Sequence, residues 1–417
     1  MLAKHRPGRT GSMDALLAVG ATHGVSRREM LRRIGNAGAF LIVGPALLAA
    51  CAEDDAGSGC TFASSGTGDS STLNFANWPF YIDVVEDGYF PISSLDDFTA
   101  ATGIDVNYLE EVNDNNEWFG KVQGQMTQCA DIERDLTVLT DWMAARFVRL
   151  GWAEKLDKTM IPNSTNLTAS LQSPGFDPNR DYTLPWQSGL TAIGYDPNTT
   201  GRELTSINDI FDPAFAGKVT MLTEMRDTLG LVMLGEGIDP AEATVEDAET
   251  ATQKIQEFVD NGHIRRFTGN DYGDDLANGN VVAAFAWSGD VVQLQADNPD
   301  LRFLVPEEGL MLWSDNMLIP AGARNIEAAH KYMNFVYDPE VAAKIESWVN
   351  FICPVDGAKD AMKALAAEIE DEDLTALADD PLIFPDADTL SKTHIFKDLT
   401  DEEDRQFNEL FQAVIGA

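Results

Sequence analysis

Leu73-Asn74-Phe75-Ala76-Asn77, followed at once by Trp78 and Tyr81, opens the alternation that decides the fold. The run predicts a short strand. Ser94 is placed to cap a helix through Ala101, Gly103 ends it, and Ile104-Asp105-Val106-Asn107-Tyr108 alternates as a half-buried strand. A second helix is expected over 117–127, then the strand Leu136-Thr137-Val138-Leu139. Strands taking turns with helices imply an α/β sheet covered on both faces. Further strands are expected at 218–222, 281–286 and 301–305, and helices at 245–260, 326–336, 340–348 and 402–414.

In open α/β sheets ligands bind beyond the carboxyl ends of the strands, so the residues just after each strand are the ones to read. Trp78 and Tyr81 follow the first strand; Thr140, Asp141 and Trp142 follow the third. Glu224 and Asp227 come after 218–222, Trp287 and Asp290 after 281–286, and Trp313 and Asp315 flank the next turn. Aromatic faces beside carboxylates suit an organic cation, because ring quadrupoles attract it and the acids pair its charge. Each residue also has a plainer reading. A lone Trp after a strand is an edge-of-core residue. Asp141 or Asp290 alone is a helix cap or a solvated loop carboxylate outside any pocket. Glu224 and Asp227, three apart around Arg226, are a surface turn with a local ion pair. Their joint placement and their order argue against those readings.

That order carries a resemblance. Asn77-Trp78-Pro79-Phe80-Tyr81, Leu136-Thr137-Val138-Leu139-Thr140, Leu184-Pro185-Trp186 with Thr191-Ala192-Ile193-Gly194-Tyr195, Thr223-Glu224-Met225-Arg226-Asp227, Trp287-Ser288-Gly289 and Trp313-Ser314-Asp315 with Leu318-Ile319-Pro320 resemble, in sequence, the spermidine/putrescine-binding proteins of ABC importers. The resemblance implies a two-lobed periplasmic-binding-protein-like α/β fold of type II with a cleft between the lobes. Lobe one would be 72–189 with 312–358, and lobe two 190–311 with 359–417. Carried over, Trp78, Tyr81, Trp142, Trp287 and Trp313 would box the methylene chain of a polyamine. Glu224, Asp227 and Asp315 would hold its ammonium groups, and Thr140 would supply a hydroxyl. Pro79 stands where the family often has a hydroxyl residue, Trp142 where it has Tyr, and Phe351 replaces a hydrogen-bonding Tyr. Near Phe396 a polar amide is missing. Polar contacts are lost while the acids stay, so ligand length is less determined than ligand charge. The implied partners are an ABC permease and its ATPase, with no cofactor and no metal, and a monomeric receptor is expected.

At the N-terminus, Ser26-Arg27-Arg28-Glu29-Met30 precedes an apolar run, Ala37 to Ala50, broken by Gly44-Pro45 and ending in Leu48-Ala49-Ala50-Cys51. The run is shorter than the ~20 residues of a relaxed membrane span. The arrangement resembles a twin-arginine signal (1–50) with a lipoprotein processing box, which implies lipidation of Cys51 and an extracytoplasmic, membrane-anchored protein. The bland alternative is a buried apolar helix with a chance cysteine. Residues 51–71, rich in Gly, Ser and Thr, read as a flexible tether that buries nothing. Of the other cysteines, Cys60 lies in the tether, Cys129 precedes a strand and Cys353 sits in apolar Phe351-Ile352-Cys353-Pro354, so Cys60–Cys129 is the expected pair.

Composition bounds the rest. The chain has 417 residues, 44% hydrophobic, enough for two cored domains. It carries 68 Asp+Glu against 29 Lys+Arg. Residues 1–50 hold seven of the basic and two of the acidic residues, leaving 22 against 66, a formal charge of −44. Such a polyanion repels nucleic acid and anionic lipid. Gly-x-Ser-x-Gly, His-Glu-x-x-His and phosphate-loop patterns are absent, and His263, His330 and His394 assemble into no acid–base–nucleophile set, so an enzyme is not expected. The alternatives are a same-fold receptor for a different amine or small organic solute (thiamine-like), or for ferric iron, whose sites favour His, Tyr and Cys clusters.

Overall fold

A computed structural model describes residues 60–83, 90–112, 114–269, 271–296 and 298–416. In chain order the first unit holds β1 (Thr72–Asn77), α1 (Ser94–Thr102), β2 (Asp105–Glu110), α2 (Asn115–Met126), β3 (Leu136–Thr140) and α3 (Asp141–Arg149). The cap of α1 is Ser93 rather than Ser94. Its hydroxyl accepts the Asp96 amide while the Asp96 carboxylate returns to Ser93, and Gly103 in the left-handed region ends the helix. The chain then enters β4 (Thr183–Tyr195), thirteen residues long and buried throughout.

Beyond it come β5 (Val219–Leu222), α4 (Met225–Gly235), α5 (Val245–Asp260), β6 (Ile264–Thr268), α6 (Tyr272–Ala277), β7 (Ala283–Trp287), α7 (Ser288–Leu294) and the short β8 (Arg302–Phe303). Next, β9 (Leu310–Leu318) returns toward the first unit. The chain closes with α8 (Ile326–Val336), α9 (Pro339–Val349), α10 (Ala358–Ile369), α11 (Glu372–Asp379), β10 (Thr393–His394) and α12 (Asp401–Ile415).

The main sheet runs β2-β1-β3-β9-β4-β7-β5-β6. Its two wings are parallel, β1 with β2 and β3, and β5 with β6 and β7. The middle is antiparallel: the second half of β9 pairs with β3, the last five residues of β4 pair with β7, and β4 and β9 pair with each other. Two long strands thus cross between two α/β wings, and each wing has its own core. One core gathers Phe75, Phe98, Leu136, Tyr332 and Trp348, with Trp118, Phe119, Phe147 and Trp152 in a neighbouring cluster. The other gathers Met221, Leu229, Ile255, Phe285, Phe407 and Phe411. The fold is two-lobed.

Neither crossing strand is evident from periodicity. With every position of β4 buried, the alternation that marks a half-exposed strand is lost, and Pro185 reads as a breaker. Pro185 is tolerated because the register with β9 shifts between Pro185 and Gln187, where its missing N–H is not needed. Helices α10 and α11 pack on α9 through Met362, Leu374 and Ala343, whereas α12 lies on α5 with Phe407 and Phe411 in the second core.

The tether reading fails for residues 60–71, which are fastened to the first lobe. Cys60 and Cys129 form a disulfide, Cα to Cα 5.9 Å, as expected, and Cys353 is a buried free thiol. The amides of Gly66 and Gly68 donate to the carbonyls of Ala323 and Arg324, both at 2.9 Å, and Phe62 packs against the first lobe. The glycines that suggested flexibility serve close approach instead: a Cβ on Gly68 would lie 2.1 Å from the Asn325 side chain. The expected signal over 1–50 and Cys51 lie outside the described residues. Among the described residues no helix is long and apolar enough to cross a membrane.

Candidate functional site

The crossing strands fix the site by register. Asp315 on β9 stands opposite Thr140 on β3 and opposite Gln187 on β4, with only 5% of its surface exposed. The Thr140 hydroxyl donates to Asp315 Oδ1 at 2.7 Å and the Tyr81 phenol donates to Oδ2 at 3.0 Å. Asn115, the first residue of α2, holds Thr140 in turn, its Nδ2 donating to the hydroxyl at 2.8 Å. Burial pushes the Asp315 carboxyl up to about 7, with the charges of Asp141 and Asp227 adding to the rise and the two hydroxyl donors opposing it. Burial beside that carboxylate also raises the Tyr81 phenol well above its ordinary value, so it stays a donor.

The second lobe supplies a matching acid. Asp227, in the first turn of α4, is buried and accepts from the Trp287 indole Nε1 at 2.8 Å. Burial pushes it up to about 6, against the hydrogen bonds from Trp287 and Thr191. Thr191 also accepts from Trp313 Nε1 at 3.0 Å, so one hydroxyl ties the Trp313 wall to Asp227. Trp287 ends β7, with its amide donating to the Tyr272 phenol oxygen at 2.9 Å. Tyr272 in turn donates to Asp290 at 2.7 Å. Glu224 caps α4 and keeps part of its surface accessible. Its carboxyl is raised by burial and by Asp227 and Asp114, against the pull of Arg226.

The aromatic wall is seated on missing side chains. Phe351 lies 5.5 Å, centroid to centroid, from both Tyr81 and Trp313. A Cβ on Gly189, which faces Trp313 across β4 and β9, would sit 2.2 Å from the indole, and one on Gly289 would sit 2.6 Å from the Phe351 ring. Neither ring could hold its place against alanine.

Of the residues read from sequence, Tyr81, Thr140, Asp315, Phe351, Trp313, Asp227 and Trp287 are linked by these contacts. Trp78 and Trp142 stand differently. The Trp78 indole donates to the Val138 carbonyl at 3.2 Å and packs against first-lobe core. The Trp142 ring is covered by the Arg226 guanidinium at 4.2 Å from its centroid. Thr140 spends its proton on Asp315. Asp141 is not a solvated loop acid: Thr140 is the residue before α3, and Asp141 accepts from Asn316 Nδ2 at 2.6 Å, with burial pushing it up to about 6. Asn316 is held from its other side by Arg180 at 2.8 Å. Thr191, Asn115, Tyr272, Gly189 and Gly289 were missed as site residues; Thr191 and Gly289 stand in stretches that carried the family resemblance.

Two α/β lobes joined by crossing strands, with acids and rings gathered at the crossing, define a ligand-binding protein of the two-lobed kind. The chain belongs to the bacterial extracellular solute-binding protein family, whose profile matches residues 93–376. It is 28% identical over 358 residues to spermidine/putrescine-binding periplasmic protein 1 of Haemophilus influenzae, covering 85% of this chain and 92% of that one. It is also 28% identical over 324 residues to the spermidine/putrescine-binding periplasmic protein of Escherichia coli, covering 77% and 85%. Among solved structures, the TpPotD lipoprotein of Treponema pallidum is similar with a TM-score of 0.70 at 18% identity, over 83% of this chain and all of that one. The spermidine/putrescine ABC transporter substrate-binding protein PotD of Streptococcus pneumoniae is similar with a TM-score of 0.66 at 21% identity, over 82% and 98%. At these identities the structures speak to the fold.

The buried acids carry a pH signature. The Asp315 carboxyl, raised to about 7 from 3.8, contributes stability that is fully present below about pH 4 and lost as pH rises through 7. Asp315→Asn removes that dependence. Relative to wild type, the ligand-free variant is expected to gain on the order of 2–4 kcal/mol between pH 4 and pH 8, read from urea unfolding midpoints. A wild-type-to-variant difference that does not move with pH would contradict the buried charge.

Proposed function

We propose that this chain is the substrate-binding component of an ABC importer, capturing a polyamine of the spermidine/putrescine type between its lobes and handing it to the permease without chemistry. The observation that carries the reading is the set of acids at the crossing, Asp315 from one side and Asp227 with Glu224 from the other, which among the described residues have no cationic side chain bonded to them. Two ammonium groups leaving water need such partners. Asp315, oriented by Tyr81 and Thr140, receives one; Asp227 and Glu224 receive another. Trp287, Trp313, Phe351 and Tyr81 cover the methylenes, each well-placed ring adding ~0.5–2 kcal/mol of cation–π attraction. Trp78 and Trp142 back the site from its edges. The names of the curated relatives support the ligand class.

We further propose lobes of 72–189 with 312–379 and 190–311 with the C-terminal helix, moving 359–379 to the first lobe because α10 and α11 pack on α9. The expected twin-arginine signal and lipidated Cys51 would hold the receptor at the outer face of the membrane.

Titration calorimetry of the mature chain with putrescine, cadaverine, spermidine, thiamine and ferric citrate tests the ligand class. Asp315→Asn and Asp227→Asn should each weaken polyamine binding at least roughly tenfold, since each leaves an ammonium buried and unpaired at a cost of ~2–5 kcal/mol. Trp313→Ala should do comparable harm, and the exposed Asp388→Asn none. The proposal fails if no polyamine binds more tightly than about 1 mM. For the anchor, Cys51→Ser should leave the protein soluble or uncleaved. A normally processed membrane form of that variant would refute it.

A further inference from the structure

Arg226 lies in sequence between Glu224 and Asp227, where a guanidinium would neutralise both acids. The structure turns it away. Its Nη2 lies 2.5 Å from Asp404 Oδ1 on α12, and its guanidinium carbon lies 4.2 Å from the centroid of the Trp142 ring on α3. The side chain is only 12% exposed, so this is not a loose surface pair. Asp227 accepts the Trp287 indole N–H instead, and Glu224 accepts only the backbone amide of Arg226, at 3.4 Å. A second pair, Arg149 on α3 with Asp401 at 2.5 Å, keeps the first turn of α12 against α3.

Arg226 Nε is buried with no hydrogen-bond partner among the described residues, so the guanidinium has a donor in hand that would take any acceptor offered. The nearest acids on its own turn are Glu224 and Asp227. What denies them that donor is Asp404, which fixes one end of the fork, together with the Trp142 face on which the guanidinium lies.

We propose that Asp404 is a positioning residue for ligand capture: it holds the Arg226 guanidinium on Trp142 and off Glu224 and Asp227, so that these acids stay open to the ligand's ammonium group. The inference rests on the reading of those two acids as ammonium partners. Without Asp404, Arg226 competes with the ligand as an internal cation. Trp142 packs against one core and α12 against the other, so the same contact joins elements of both.

The test is a double-mutant cycle on the mature protein, read by calorimetry with putrescine and with spermidine. Asp404→Asn should raise the dissociation constant roughly tenfold or more. Adding Arg226→Met in that background should restore it to within about threefold of wild type, because the competing cation is gone. Asp404→Glu, which keeps the ion pair, should stay near wild type. A purely structural role for Asp404 predicts that Arg226→Met deepens the loss or leaves it unchanged, and that outcome overturns the inference. So does an Asp404→Asn protein that binds as wild type does. Failure of wild type itself to bind either polyamine would instead remove the ligand reading on which the inference stands.

Discussion

A carboxylate on a central strand is the constraint on which the rest of this structure depends. Asp315 has β3 on one side and β4 on the other, in register with Thr140 and Gln187, and only 5% of its surface is exposed. Two neutral donors, Tyr81 and Thr140, orient it without neutralising it. Its charge must therefore be met by a proton or by an external cation. The same logic repeats across the cleft at Asp227, whose donors are an indole and a hydroxyl. A site that leaves buried acids unpaired by its own cations gives up stability in the free state and recovers it when a cation binds.

The crossing strands make that arrangement mechanically useful. Asp315 sits on a crossing strand and Asp227 on a helix of the second wing, and β4 and β9 are the strands that join the two wings. Close packing is confined to where it is needed: Gly189 admits the Trp313 ring and Gly289 admits Phe351. The ion pairs made by α12, Arg149 with Asp401 and Arg226 with Asp404, belong to a chain with 68 acidic and 29 basic residues.

Much of this was legible in the sequence, and the reasons are physical. Helices α5 and α8 announce themselves through apolar spacing and lie where periodicity put them. Tyr81, Glu224, Asp227 and Trp287 could be found because α/β sheets bind ligands beyond strand ends, whereas Trp313 and Asp315, read as flanking a turn, lie inside β9. What periodicity could not reach was the buried middle. Strand β4 has no polar face to alternate with, Thr191 and Asn115 are ordinary polar residues until the fold brings them to Asp227 and Asp315, and Asp141 looked like a loop acid because nothing local marks its bond to Asn316. Direction was equally hidden: sequence places Arg226 between two acids, and only the packing of α12 shows that it points to a third. The strap from Cys60 was misread because Gly and Ser serve close backbone approach as readily as mobility.

The pairing of the cleft acids with a diamine's ammonium groups is tested most directly by calorimetry of putrescine binding in buffers of different ionisation enthalpy. With Asp315 raised to about 7 and Asp227 to about 6 in the free protein, an arriving ammonium lowers both, so binding at about pH 6.5 should release protons. The release should fade as pH rises well above 8, and affinity should strengthen from pH 6 to 8 as less proton displacement is required. Binding enthalpy independent of the buffer, with one affinity across that range, would contradict it.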